Sequence, residues 1–191
     1  NEELRNYFPL SKVLSGLFET VKELFGCEIL KEQENTDEIL WEQSVQVFKV
    51  VCEGQVTGYF FFDLFSREEK RGGAWMDECR SRIKYDNGVQ TPIALMNCNF
   101  SQPIGQRDVY LTHDEVVTLF HEFGHGLHHL LTEMDYLEIS GISGVEWDAV
   151  ELPSQFLENF AWEYETLQKI SEHRDTGLPI NKEMFEKIYA A

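Results

Sequence analysis

Residues 112–132 read THDEVVTLFHEFGHGLHHLLT, and this stretch decides which scaffold the rest of the chain must support. Thr112 precedes Glu115 by three positions, the spacing of a capping box: the hydroxyl accepts from the backbone N–H three residues on, and the carboxylate reaches back. A helix is therefore predicted over about residues 113–132. Inside it lies His121-Glu122-Phe123-Gly124-His125, an H-E-x-x-H sequence. On a helix, residues four apart share a face, with Cβ atoms about 5–6 Å apart, so two imidazoles can reach one ion. Zinc suits nitrogen and carboxylate donors and tolerates a four-coordinate site with one position open to water. Glu122, next to the first histidine, can take a proton from such a water without occupying the metal.

A third donor should come from a separate element, and a glutamate on the following helix is one solution. Glu146, Glu151 and Glu158 are the candidates, and spacing favours Glu151. A polar, glycine-dotted loop over residues 140–144 leads to a predicted second helix over about residues 148–170. Pro153 fits that helix only in its first turn, where its missing N–H has no partner to lose.

Upstream, residues 11–25 place Val13, Leu14, Leu17, Phe18, Val21, Leu24 and Phe25 at helical spacing, with Gly26 as the stop. Residues 45–51 and 56–64 are rich in Val, Phe and Tyr and are separated by Cys52-Glu53-Gly54-Gln55, which predicts a β-hairpin. Residues 66–90 are polar, with an Asn87-Gly88 turn signal, and are expected to be irregular. Residues 91–100 then read as a strand. Pro92 and Pro103 suit an edge position, where an extended peptide could add by backbone pairing. The fold class expected is mainly α with a small antiparallel β-sheet (α+β), the sheet spanning about residues 45–100.

The 191-residue chain has 42% hydrophobic residues, enough for one sizeable core, and a formal net charge of −18. That charge repels phosphate backbones and anionic lipid heads, and the 16 Lys and Arg form no run, so neither nucleic acid nor a membrane is expected as a partner. No stretch of 18 or more apolar residues suggests a membrane span. Cys27, Cys52, Cys79 and Cys98 show no CxxC pairing, so all four are read as reduced thiols and the compartment as cytoplasmic. A monomer is the default expectation. The start at Asn1 and the uncapped helix expected over residues 181–191 suggest a piece of a longer protein.

FHEFGHGLHH (residues 120–129) and SGISGVEWDAVELPSQFLEN (residues 140–159) together resemble the thimet oligopeptidase family of zinc metallopeptidases. KRGGAWMD (70–77), NCNF (97–100) and THDEV (112–116) agree, so the resemblance covers most of the chain. It implies a zincin-like catalytic core, residues 1–191 being part of a larger, mainly helical, two-lobed peptidase that admits short peptide substrates. It implies one Zn2+ held by His121, His125 and Glu151, with Glu122 as general base. It also implies that the groups stabilising the oxyanion lie downstream of residue 191.

His128 and His129 extend the motif helix, and a site already holding three ligands leaves them structural, surface or substrate-contacting roles. Asp148 or Glu158 could fix the tautomer of a ligating histidine by accepting from its outer nitrogen. His113 and His173 belong to no constellation and are expected at the surface or in capping roles.

Overall fold

The computed structural model describes residues 2–33, 39–105 and 107–189. Helices α1 (Glu2–Arg5) and α2 (Leu10–Phe25) lead into strands β1 (Cys27–Lys31), β2 (Gln46–Cys52) and β3 (Gln55–Phe65). Strands β4 (Trp75–Arg80), β5 (Ile83–Tyr85), β6 (Gly88–Gln90) and β7 (Ile93–Phe100) follow, and then helix α3 (His113–Leu130). The chain continues through α4 (Leu152–Glu158), a 3₁₀ turn Asn159–Trp162, α5 (Tyr164–Ile170) and α6 (Lys182–Tyr189).

Local signals place several of these elements. Gly26 ends α2 in the left-handed conformation (φ 68°) and returns its N–H to the Lys22 carbonyl. Glu53 and Gly54, at φ 52° and 77°, form the two-residue left-handed turn that matches the twist of a hairpin and joins β2 to β3. At the start of α3 both halves of the Thr112–Glu115 capping box are made.

The chain is mixed α/β rather than mainly α, and its sheet is not antiparallel throughout. Five strands lie in the order β1-β2-β3-β7-β4, and β3 runs parallel to β7, Tyr59 facing Ile93 and Asp63 facing Asn97. Parallel neighbours need a long crossover, and residues 66–92 supply it. Within that segment, expected to be irregular, lie β4 and the β5–β6 hairpin. Strand β4 escapes the sequence pattern because it is polar and largely exposed. It also overturns the expected edge: β7 is internal, between β3 and β4, and β4 takes the outer position.

The expected second helix over 148–170 is broken. Residues 148–151 form a turn, Pro153 occupies the first turn of α4 as its chemistry requires, and Glu163 is extended (ψ 132°) between the 3₁₀ turn and α5. The cysteine reading also needs correction. Cys27 and Cys52 face one another across the β1–β2 ladder and are joined by a disulfide. Without β1 in view, their 25-residue separation carried no pairing signal. Cys79 and Cys98 are free thiols, and burial pushes Cys98 up to about 12.

One face of the sheet packs on α2 and α3 through aromatic rings. Phe60 and Phe62 lie 5.4 and 5.8 Å from the Phe123 ring, and Phe18 of α2 lies 5.3 Å from Phe48. Phe123 is the central residue of the H-E-x-x-H sequence. Its complete burial fixes the roll of α3 and so the directions of its neighbours.

At the far end of β3, buried Asp63 accepts from Arg67 at 2.7 and 2.9 Å, from Trp41 Nε1 at 3.0 Å and from Lys70 at 2.9 Å. Lys70 is buried too and also donates to the carbonyls of Asp63, Phe65 and Cys98. Burial opposes charge on Asp63, but the hydrogen bonds from Arg67, Trp41 and Lys70 outweigh it and hold the carboxyl at about 2. Because this folded value lies below the ordinary one, the stabilisation is present above pH about 4 and is lost as pH falls through about 2, a difference on the order of 2 kcal/mol. Asp63→Asn should therefore lower the unfolding free energy at pH 7 by at least about 2 kcal/mol, since it also strands the Lys70 charge. Denaturant titrations at pH 7, 4 and 2.5 should show the gap from wild type closing as the solution becomes more acid.

Candidate metal centre

Helix α3 presents His121 and His125 one turn apart, their ring centroids separated by 5.0 Å. The turn before α4 delivers Glu151, whose Oε2 lies 3.2 Å from His121 Nε2 and 3.0 Å from His125 Nε2. One donor atom from each of the three residues lies within 4.8 Å of the others. In a tetrahedral zinc site with bonds of about 2.0–2.1 Å, neighbouring donors lie roughly 3.3 Å apart, so these residues fit the ion. Of the three glutamate candidates, the structure brings Glu151 into the cluster. Glu146 stays in the preceding turn, its carbonyl accepting from Ala149 and Val150.

Gly124 permits that delivery. A Cβ there would sit 2.6 Å from the Pro153 carbonyl oxygen and 2.6 Å from Ser154 Cα, both backbone atoms of α4. Its smallness lets α4 lie directly on α3 between the two histidines. Ser154, buried in the same contact, donates its hydroxyl to the Glu151 carboxylate at 2.8 Å. Sequence reasoning missed both residues. The small residue inside H-E-x-x-H and the hydroxyl three positions after Glu151 were the available signals.

The protonation states suit metal binding. The Ser154 hydroxyl, with His125 and His121 behind it, holds Glu151 below the usual carboxylate range. Burial pushes His125 down and keeps it neutral, the form that ligates. His121 Nδ1 lies 3.0 Å from Glu158 Oε2. A carboxylate accepts, so this nitrogen carries the hydrogen and Nε2 turns its lone pair toward the cluster. Glu158 thus occupies the outer position for which Asp148 was the alternative, and no hydrogen bond or ion pair joins Asp148 to either histidine among the described residues.

Glu122 lies beside the cluster and is buried. Burial pushes its carboxyl up, the Glu151 charge adds to this, and His121 and the Met76 backbone amide of β4 oppose it. A carboxyl raised in this way is a better proton acceptor once ionised than a solvated one. The remaining histidines lie elsewhere. His128 lines an apolar cavity of about 520 Å3 with Leu127, Ile139, Leu152 and Phe156. His129 is fully buried, its Nε2 on the Arg80 carbonyl at 2.9 Å. His113, expected at the surface or in a capping role, is buried, so the surface alternative fails, and it bonds the Ala161 carbonyl of the 3₁₀ turn at 2.8 Å. His173 packs its ring on Tyr7, 4.7 Å between centroids.

Comparison with known proteins gives this site a lineage. The family model described as "Peptidase family M3" matches residues 1–191. The chain belongs to peptidase family M3. It is 50% identical to oligopeptidase A of Salmonella typhimurium over 193 residues, which cover all of this chain and 28% of that protein. The organellar oligopeptidase A of Arabidopsis thaliana is 46% identical over 198 residues, covering all of this chain and 24% of that protein. The probable thimet oligopeptidase of the same plant is 36% identical over 190 residues, 97% of this chain and 26% of its own. The M3 chain therefore spans about 28% of the length of the first of these relatives.

Gly124→Ala tests the delivery of Glu151. Alanine gains about 1 kcal/mol of helix propensity over glycine, whereas overpacking against backbone costs roughly 1–3 kcal/mol or more. The net effect should be destabilising. Metal titration should show affinity falling on the order of tenfold, the scale of a disturbed ligand support, as α4 is pushed off α3.

Proposed function

We propose that this M3 chain carries the catalytic metal centre of a zinc metalloendopeptidase that hydrolyses peptide bonds in short oligopeptides. The observation that carries the reading is the convergence of His121, His125 and Glu151 with the buried carboxyl of Glu122 beside them. The word oligopeptidase in the names of the relatives supports short peptides as the substrate class. Residues 1–191 act in this reading as one catalytic-core region of a larger peptidase.

His121 and His125 through Nε2, and Glu151 through its carboxylate, would hold Zn2+. Bound there, the ion would supply Lewis acidity, lowering the pKa of a coordinated water and polarising a peptide carbonyl. Glu122 would accept a proton from the attacking water on its carboxylate and pass it to the departing amine nitrogen. Glu158 would keep the His121 ring in one tautomer and orientation throughout. Strand β4 lies at the outer position of the sheet and packs against α3, the helix that carries Glu122. Its open side could take an extended peptide by backbone pairing, the role the sequence reading gave to residues 91–100.

A non-catalytic zinc site that merely pins two helices would close its coordination with a fourth protein donor. Among the described residues the cluster has three, which favours the catalytic reading. No helix of the described residues is long and apolar enough to cross a membrane. The cytoplasm remains the proposed compartment, although the Cys27–Cys52 disulfide is unusual there.

Glu122→Gln should retain one zinc per chain by elemental analysis and lose cleavage of a quenched fluorescent oligopeptide by about a hundredfold or more, the scale of a lost proton-transfer group. Activity above a tenth of wild type would remove Glu122 from the role of base. Glu151→Ala should instead lose the metal, and full occupancy in that variant would place the third ligand elsewhere.

A further inference from the structure

His129 is entirely buried in the last turn of α3 yet takes no part in the metal cluster. Its Nε2 lies 2.9 Å from the carbonyl oxygen of Arg80, the final residue of β4. A carbonyl can only accept, so Nε2 carries the hydrogen and donates it. Nδ1 is buried without a hydrogen-bond partner. On that side lie Gly141, where a Cβ would come 2.5 Å from Nδ1, and the Glu78 carboxylate at 4.0 Å. Glu78 in turn accepts from Ser81 at 3.0 Å and from Ser143 at 3.1 Å. One buried imidazole therefore meets both the end of β4 and the loop that leads to Glu151.

Strand β4 needs such a fastening. Among the described residues it pairs with β7 alone, and the register of that pairing shifts between Glu78 and Arg80. A bulge leaves a residue unpaired and loosens the ladder locally. His129 takes hold of the strand where the ladder weakens, and the Arg80 guanidinium adds a bond to the Thr91 carbonyl at 2.8 Å. Seven residues earlier on α3, and so on the same face, lies Glu122, and α3 packs against β4. The helix thus lies along the strand and grips its end through His129.

We propose that His129 is a positioning residue that sets β4 against α3, and thereby sets where an extended peptide on β4 lies relative to Glu122. The substrate half of this statement rests on the peptidase reading above; the strand half does not. A misplacement of about 1 Å at a reacting centre can cost on the order of a hundredfold in rate, so a fully buried side chain that fixes the outer strand has leverage on the reaction without touching substrate.

The test compares His129→Leu, which keeps apolar bulk and removes the donor, with His129→Gln, whose amide places an N–H at similar reach. Both should bind zinc as wild type does. His129→Leu should lower kcat for a quenched fluorescent oligopeptide about tenfold, with a smaller change in KM, and His129→Gln should recover to within about threefold. Backbone amide exchange over residues 75–80 should quicken in the leucine variant and return toward wild type in the glutamine variant. If leucine and glutamine behave alike, or leucine matches wild type, His129 is packing only and the proposal fails. Should His129→Leu not fold, nitrogen NMR of 15N-histidine wild-type protein decides: an Nε2–H tautomer with a protected proton is required, and an Nδ1–H tautomer overturns the assignment. Absent peptidase activity in wild type would defeat the functional reading, while the exchange and tautomer measurements would still decide the position of β4.

Discussion

Two imidazoles on one helical turn can reach an ion, but they cannot enclose it, so the site depends on how closely a second element approaches α3. The approach is set by two adjacent residues of opposite character. Phe123 is drawn into the aromatic core against Phe60 and Phe62 and locks the roll of the helix. Gly124 then faces the other way with no side chain, and the backbone of Pro153 and Ser154 settles onto it. Bulk on one side and its absence on the other fix the direction and distance of Glu151 together. A helix with the same histidines but a loosely seated residue at 123 or a side chain at 124 would have ligands without a site.

The electrostatics follow from that packing. Burial works against the charged form of His125 and raises the carboxyl of Glu122, whereas Glu151, more exposed and bonded by Ser154, is held below the usual carboxylate range. Desolvation thus sorts neighbouring groups into a neutral ligand, a charged ligand and a carboxyl raised above its ordinary range, from side chains that would all be ordinary in water. Glu158 adds a directional constraint by fixing the hydrogen of His121 on the nitrogen that faces away from the cluster. The net charge of −18 plays no part in this sorting. Six groups do, placed by α3, α4 and the turn before α4.

What could be read from the sequence was what depends on near neighbours along the chain. The capping box at Thr112, the left-handed stop at Gly26, the Glu53-Gly54 turn and the i, i+4 histidines each involve residues within five positions, and each lies where its chemistry predicts. What escaped depends on partners far away in sequence. Strand β4 has no apolar alternation because one of its sides is open, so it read as loop, and the edge was assigned to β7. The parallel pairing of β3 with β7 and the Cys27–Cys52 bridge both need a strand arrangement that no local pattern specifies. The burial of His113, read as a surface or capping residue, escaped because nothing nearby announces that the Asn159–Trp162 turn will cover it. The break in the second helix falls at Glu163, where no glycine or proline marks it.

The unread strand is also the one held most deliberately. Its start is fixed from the sheet: Lys70 is buried among the carbonyls of Asp63, Phe65 and Cys98, and Asn99 donates to the carbonyls of Arg71 and Gly73 at 2.8 and 2.6 Å. Its end is fixed from the helix by His129. A polar edge strand has little hydrophobic reason to stay in place, so hydrogen bonds to buried groups at both ends substitute for packing. Those bonds reach back to the ends of β3 and β7 and forward to α3, the same elements whose aromatic contacts set the roll of the metal-bearing helix. The outer strand and the three-donor cluster therefore share one frame, and a shift in the core that moved one would carry the other with it.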